Sequence, residues 1–357
     1  GGQALLVATL ALPAAGALAA VGLPERVARA AGPVAAGLAL LVALGLALPW
    51  RPVLPTPVLG APAVDPWHEL DVAWVPGLDL RFHLGVDGIS YPLVVLTALL
   101  TLLCCLHARG DRRLVALLLV VEVGILGTFL ALDLVLFFLF FEVVLLPMYA
   151  VIAGWGGPRR RHAARKFVLY TLAGSVLLLV GVFVVVSAAG TGDVVALTGG
   201  EAAPGRTTQQ VAFTFFALAF AVKSPLWPLH SWLPDAHTEA PTVGSVILAG
   251  VLLKMGTYGL IRVGVGVTPE GAAWAAPVLG VLAVAAIVVG ALVCLAQTEL
   301  KRLIAYSSVG HMGFVLLGIA TLSAAGLQAA LIGNLAHGVI TGLLFFLVGA
   351  VDRKSVV

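Results

Sequence analysis

Charge is what this sequence has least of: Asp, Glu, Lys and Arg make up 10% of 357 residues, where an ordinary soluble domain carries roughly 25%. So small a charged fraction excludes an ordinary water-soluble domain. Cysteine is scarce too. Cys104, Cys105 and Cys294 all lie in apolar runs, with no CxxC pair and no histidine at metal-ligand spacing. That excludes a disulfide framework and a thiolate metal centre, and leaves the three as packing residues. The chain has no GxSxG, no HExxH and no glycine-rich loop after a predicted strand, so nucleotide binding and hydrolysis have no motif to rest on. With a formal net charge of +3, nucleic acid is not a sensible partner.

What is present is apolar sequence, 61% of the residues. Runs of about 20 residues, each long enough to cross a hydrocarbon core of about 30 Å, recur along the whole chain and are therefore no single secretory signal. Read against charged, Pro and Gly punctuation, they give about eleven spans, roughly 3–20, 31–49, 88–108, 114–131, 134–153, 167–188, 210–232, 241–261, 272–296, 303–320 and 326–350. The expected fold is an all-α polytopic membrane protein with the lipid bilayer as its solvent. The longest loop, 51–87, holds Asp65, Glu69, Asp71 and Asp79 with several Pro and Trp residues, and reads as an ordered extramembrane flap.

Basic residues orient the chain, because Lys and Arg concentrate in cytoplasmic loops. One alternating set of loops holds Arg26, Arg29, Arg109, Arg112, Arg113, Arg159, Arg160, Arg161, Arg165, Lys166, Lys301 and Arg302, with Arg353 and Lys354 in the tail. The other holds Arg51, Arg81, Arg206 and Arg262. This places the first set in the cytoplasm and the N-terminus outside. Only Lys223 and Lys254 then fall inside spans. The tail 352–357, Asp-Arg-Lys-Ser-Val-Val, back-translates as GATCGGAAGAGCGTCGTG, a common sequencing adapter. The tail is expected to be an artefact with the true protein running on past Val351, and Gly1 in place of an initiator Met points to truncation at the front as well.

An ionisable side chain in mid-bilayer costs at least about 2.5–3.5 kcal/mol on insertion scales, so each is a functional hypothesis by default. They fall on successive spans: Glu122, Glu142, Lys223, Lys254, His311 and His337. Glu142 follows Phe-Phe-Leu-Phe-Phe, a wall that makes its charge costly unless a cation stands nearby; the bland alternative is a carboxylate satisfied locally beside Pro147. Lys223 precedes Pro225 and Pro228, which free backbone carbonyls and break the helix, as at transporter ion sites. Its alternative is a lysine snorkelling from a helix end. Lys254, about mid-span, is too deep to snorkel easily. Its burial makes the charged form costly, the property that a group loading and releasing protons needs. His311 and His337 are relay candidates by their intrinsic chemistry and equally candidates for hydrogen-bonded packing. Glu122 has no motif of its own, and the Gly-rich faces of the eighth and eleventh spans read as close helix packing.

The segment Lys223-Ser-Pro-Leu-Trp-Pro-Leu-His-Ser-Trp-Leu-Pro-Asp-Ala-His-Thr-Glu-Ala-Pro241, continuing through Gly244 to Lys254, closely resembles the M-type antiporter-like subunit of NADH-quinone oxidoreductase, respiratory complex I. Phe140-Phe141-Glu142 with Leu146-Pro147-Met148-Tyr149, and the block Lys301 to Gly313 containing Tyr306-Ser307-Ser308 and His311, extend the likeness over most of residues 85 to 350. The resemblance implies about eleven helices present of an expected fourteen, in inverted five-helix repeats with a broken seventh helix. It divides the chain into N-terminal helices at 1–111, a first repeat at 112–265 and a partial second at 266–351. A shift of about 168 residues lays Gly174 on Gly342 and Leu179-Val180-Gly181 on Leu347-Val348-Gly349, a faint echo of such a repeat. That shift puts the counterpart of Lys223 beyond the end of the chain, so an exit half-channel is expected to be missing.

By the same resemblance, Glu142 and Lys223 form the coupled pair of one half-channel, Lys254 its centre, and His311 and His337 the path onward. Glu122, His230, Pro225, Pro228 and His237 are supporting positions. Proton translocation is the implied function, coupled to electron transfer in other subunits. The implied partners are L-type and N-type subunits. NADH, FMN, iron-sulfur clusters and quinone would belong to the complex, none of them bound by this chain. Mrp sodium/proton antiporters share the Glu and Lys pattern and are the nearest rival; a membrane scaffold in which buried charges only hold helices together is the rival from another class.

Overall fold

The computed structural model describes residues 1–48 and 64–354. Helices α1 Gly2–Gly22 and α2 Glu25–Gly45 form an antiparallel pair, followed by strands β1 His68–Val75 and β2 Leu80–Val86, then α3 Tyr91–His107 and α4 Arg112–Leu130. Next come α5 Leu134–Val143, α6 Leu145–Trp155, α7 Arg160–Ala189, the short α8 Val194–Thr198 and α9 Arg206–Lys223. The chain continues through α10 Trp232–Glu239, α11 Thr242–Ile247, α12 Leu253–Gly259, α13 Pro269–Leu295, α14 Leu300–Ala320 and α15 Ala324–Lys354. Among the described residues, nine helices are long and apolar enough to cross a membrane, counting α5–α6 as one and 242–265 as one. Each of the eleven expected apolar runs has a helix, although α3 is shorter than those nine and α9 is not among them.

Helices run past their apolar stretches into the basic residues. Arg26 and Arg29 sit in the first turns of α2, Arg112 and Arg113 open α4, and Arg165 and Lys166 lie within α7. A backbone that meets its own hydrogen bonds stays helical through the interface, and long basic side chains reach outward from it. At α4 the stop and start are explicit: the Asp111 carboxylate accepts from the backbone N–H groups of Arg113 and Leu114 at 3.1 Å, an N-cap of the usual kind.

The flap expected over 51–87 is an antiparallel hairpin where it is described, pairing His68 with Val86 and Val75 with Leu80; 51–63, with Arg51, lies outside the described residues. Its anchor is His83, buried on β2. The ring bonds Glu69 of β1 through Nε2 at 2.6 Å and Asp193, the N-cap of α8, through Nδ1 at 3.0 Å. Burial disfavours the imidazolium, but the neighbouring carboxylates together outweigh it and raise the His83 pKa; at Asp193 burial is again the largest single effect, and the bond and charge of His83 with the Val195 N–H and Arg81 together outweigh it and lower that carboxyl. The sign follows from linkage: the folded flap binds the proton more tightly than the unfolded chain, so the clip is complete below the ordinary histidine range and is lost as pH rises through the raised value. Amide exchange of the hairpin, corrected for intrinsic rates, is therefore expected to quicken as pH rises across that range, and His83→Gln should abolish the pH dependence. A hairpin equally protected in wild type and variant at every pH would refute the clip.

The 242–265 span is the centre of the bundle, its most apolar window 100% buried where that of α13 is 22% buried. Enclosure on all sides explains why it is apolar all round rather than amphipathic. Close approach needs small residues: a Cβ on Gly338 would stand 2.6 Å from the Gly250 carbonyl oxygen, and one on Gly256 2.1 Å from Ser224 Oγ. These contacts bind the span to α15 and to the end of α9.

Candidate functional site

Three interruptions of helical regularity surround the buried ionisable groups, and each has a local cause. Pro147 offers no N–H to the Val143 carbonyl one turn back. The fifth span accordingly breaks at Val144, between α5 and α6, immediately after Glu142. This break was not expected from the sequence, although Pro147 announced it.

The second interruption follows Lys223. Pro225 cannot donate to the Ala221 carbonyl; Leu226 N–H reaches it instead at 2.9 Å, and the Val222 carbonyl left over accepts the Trp232 indole N–H at 2.9 Å. Pro225 and Pro228 thus end α9 at Lys223 as anticipated, and α10 resumes only at Trp232. Lys223 is buried at the C-terminal end of α9, where the helix dipole favours a cation. Its Nζ stands 4.7 Å from the centroid of the Phe141 ring, a cation–π seat. Glu142 is the carboxylate whose charge acts on Lys223, but the two form no direct ion pair among the described residues, and Glu142 is only half-buried.

The third interruption brackets Lys254. Leu248–Leu252 and Leu260–Val265 are π-helical turns on either side of α12, of the kind often found at functional sites. In the first, Leu253 N–H reaches back to the Leu248 carbonyl. The Ala249 carbonyl, freed from its α-helical partner, accepts the Lys254 ammonium at 2.6 Å. Lys254, fully buried, also contacts His337 Nδ1 of α15, whose Nε2 lies 3.0 Å from Ser308 Oγ of α14. The His311 ring, exposed on α14, is 5.4 Å from His337 between centroids. Lys254, His337 and His311 therefore form one continuous file.

The supporting positions separate. His237 is fully buried and stacked on Phe345 at 4.6 Å, neither ring nitrogen finding a partner. His230 faces Tyr306 of α14, 6.3 Å between ring centroids, and belongs to no contact with Lys223 or Lys254 that the structure records. Glu122 is completely buried in α4, both carboxylate oxygens without a hydrogen-bond partner among the described residues. It stands apart from the Lys254 file and beside Cys105 of α3.

One assignment is corrected. Arg262, expected in an extramembrane loop, lies inside the second π turn, 4% exposed. Its Nη2 donates to both carboxylate oxygens of Asp87 at 2.7 Å, and its Nε donates to Tyr258 Oη at 3.0 Å, which donates on to the Phe129 carbonyl. The spacing Tyr258 to Arg262, one turn apart on a continuing apolar helix, was the available signal. Sequence reasoning also missed the junction at Asp235, which accepts from Lys166 of α7 at 2.8 Å and from Arg302 of α14 at 3.1 Å. Their charges outweigh its partial burial and lower its pKa.

A polytopic helical membrane protein with a broken helix and a file of buried lysine and histidine residues is the class that this fold and site define. The chain belongs to the NADH:quinone oxidoreductase/Mrp antiporter transmembrane family, which matches residues 131–356. It is 49% identical over 288 residues to the NAD(P)H-quinone oxidoreductase chain 4 1 of Synechococcus sp. strain JA-3-3Ab, covering 79% of this chain and 55% of that protein. It is 45% identical over 307 residues to NADH-quinone oxidoreductase subunit M of Rhodobacter capsulatus, covering 79% and 58%. The chain thus spans a little over half the length of these curated relatives. Among solved structures, one from respiratory complex I of Thermus thermophilus with bound NADH matches with a TM-score of 0.87 at 34% identity, over 98% of this chain and 71% of that one. The Mrp complex from Dietzia sp. DQ12-45-1b, at 24% identity and a TM-score of 0.82 over 98% of this chain and 38% of its counterpart, shares the fold.

Proposed function

We propose that this chain is part of a proton-translocating membrane subunit of NADH-quinone oxidoreductase, of the M type. The observation that carries the reading is the contact file Lys254–His337–His311, set beside a helix that breaks immediately after a second buried lysine. Glu142 and Lys223 are the loading pair. When the carboxylate approaches, the ammonium keeps its proton; when it withdraws, desolvation drives the proton toward Lys254 and His337. At about 4 Å and an effective dielectric of about 20, the attraction is roughly 4 kcal/mol, enough to reverse occupancy. Residues 112–265 act as one repeat and 266–351 as the start of its inverted partner. The Arg-rich loops face the cytoplasm of a bacterial cell, the N-terminus and hairpin the outside, and L-type and N-type subunits flank the chain. NADH, FMN, iron-sulfur clusters and quinone serve elsewhere in the complex, and this chain holds no redox centre.

The test is made on the full-length protein in its own membrane. Affinity-tagged protein is expected to migrate on native gels with NADH-dependent quinone reductase activity, and inverted vesicles to acidify on adding NADH. Deleting the gene should abolish both. Proton exchange driven by a sodium gradient, with no electron donor and no comigrating dehydrogenase, would instead establish the Mrp-type antiporter.

A further inference from the structure

One turn from the Lys254–His337 contact, the same two helices make a second polar rung. Thr257 lies three residues beyond Lys254 on α12, and Asn334 three before His337 on the antiparallel α15. Counted along the backbone at about 1.5 Å rise per residue, the rung is displaced by roughly 4.5 Å along the helix axes, while the Lys254 ammonium itself reaches back to the Ala249 carbonyl. The direction is toward the hairpin end, where Arg262 meets Asp87. Thr257 Oγ1 donates to Asn334 Oδ1 at 3.0 Å. Asn334 is 0% exposed, and its amide nitrogen has no hydrogen-bond partner among the described residues.

A primary amide carries two N–H donors, and leaving a buried polar group unmet is costly. Exchanging the amide oxygen and nitrogen does not remove the deficit: the nitrogen would then meet Thr257 Oγ1 and the oxygen would be left unmet. The missing partner must be small and able both to donate and to accept. A metal cation is disfavoured one turn from a lysine ammonium, and an anion would require several converging donors where one amide is free. Water meets these demands, and buried waters characteristically satisfy such groups.

We propose that Asn334 and Thr257 form a buried water-binding site through which Lys254 exchanges its proton with the hairpin side of the membrane. The Lys254 ammonium gives a proton to an intervening water, which passes one of its own to the water at Asn334, and that water releases one of its own to a further water on the hairpin side. The lysine is left as the neutral amine and the bound water is regenerated. Asn334 is a positioning residue: it orients the water and exchanges no proton itself. This route rests on the proposed proton-pumping role of Lys254.

The full-length protein in the assembled enzyme decides it. High-resolution electron cryo-microscopy should show density within hydrogen-bond distance of Asn334 Nδ2, and in Asn334→Leu, which fills the space with an apolar group, that density should vanish. Asn334→Leu should lower protons pumped per electron by more than half and raise the solvent deuterium isotope effect. Asn334→Ser, which leaves room and a hydroxyl for the water, should recover most of the loss. Three results overturn the proposal: an amide nitrogen bonded to protein with no water beside it, an Asn334→Leu enzyme that pumps as wild type, or an Asn334→Ser enzyme as impaired as Asn334→Leu. If Asn334→Leu fails to assemble, the wild-type density and the Asn334→Ser pumping ratio carry the decision. A Lys254→Ala control separates the two readings. If it pumps normally, the Lys254 path itself fails; if it abolishes pumping while Asn334→Leu does not, only the water site does.

Discussion

Replacing Lys223 by Ala in the full-length protein is expected to abolish proton pumping by the assembled enzyme. The substitution removes the ammonium that the proposal places under the control of Glu142, and among the described residues no other buried cation stands at the break of the seventh helix. The separation between Glu142 and Lys223 sharpens the expectation: the structure holds the lysine over Phe141, which in the proposed cycle corresponds to the arm with the carboxylate withdrawn. Glu142→Gln, which keeps the shape and removes the charge, should lower pumping as well, while Phe141→Leu should act mainly by shifting how readily the pair closes. NADH-driven acidification of inverted vesicles, normalised to assembled enzyme on native gels, measures all three. Undiminished pumping by Lys223→Ala would refute the assigned role.

The second large effect concerns stability. Arg262 and Asp87 are 4% and 6% exposed and joined by two 2.7 Å bonds. Asp87 further accepts the backbone N–H groups of Ile89 and Ser90 at 3.0 Å, which fixes the entry into α3. Removing one member leaves the other charged and unpaired in a buried site, at a cost of about 3–5 kcal/mol. Arg262→Ala is therefore expected to lower the denaturation midpoint of the purified protein sharply. Arg262→Lys should restore only part of the loss, because a point charge does not reproduce a guanidinium held by two bonds. The double variant Asp87→Leu, Arg262→Met should recover most of it, since an apolar pair of similar volume leaves no orphaned charge. Equal midpoints for wild type and Arg262→Ala would show that the pair contributes nothing.

Most of the helical architecture was legible because membrane helices announce themselves by length and apolarity. Every expected run has its helix, and Pro225 with Pro228 marked the broken one correctly. Errors arose where charge was taken as a sign of exposure. Arg262 ends an apolar stretch and so reads as the start of a loop, but its partner Asp87 is far away in sequence, and pairing across that distance is invisible in a linear reading. The same blindness hid Asp235, whose two cations come from α7 and α14. The hairpin was legible only as an ordered flap, because its pattern between β1 and β2 is too short and too polar to stand out beside long apolar spans.

By itself the sequence determined the solvent, the family and the titratable groups. Those properties reside in composition, run length and motif, and need no folding to be read. Tertiary structure decided which of those groups meet. Lys254, His337 and His311 form a file because α12, α14 and α15 pack around one fully buried span, whereas Glu122, as buried as Lys254, finds no hydrogen-bond partner among the described residues. Contact in a bundle depends on which faces the small residues allow to approach, and that is a property of helix pairs, which no single run of residues records.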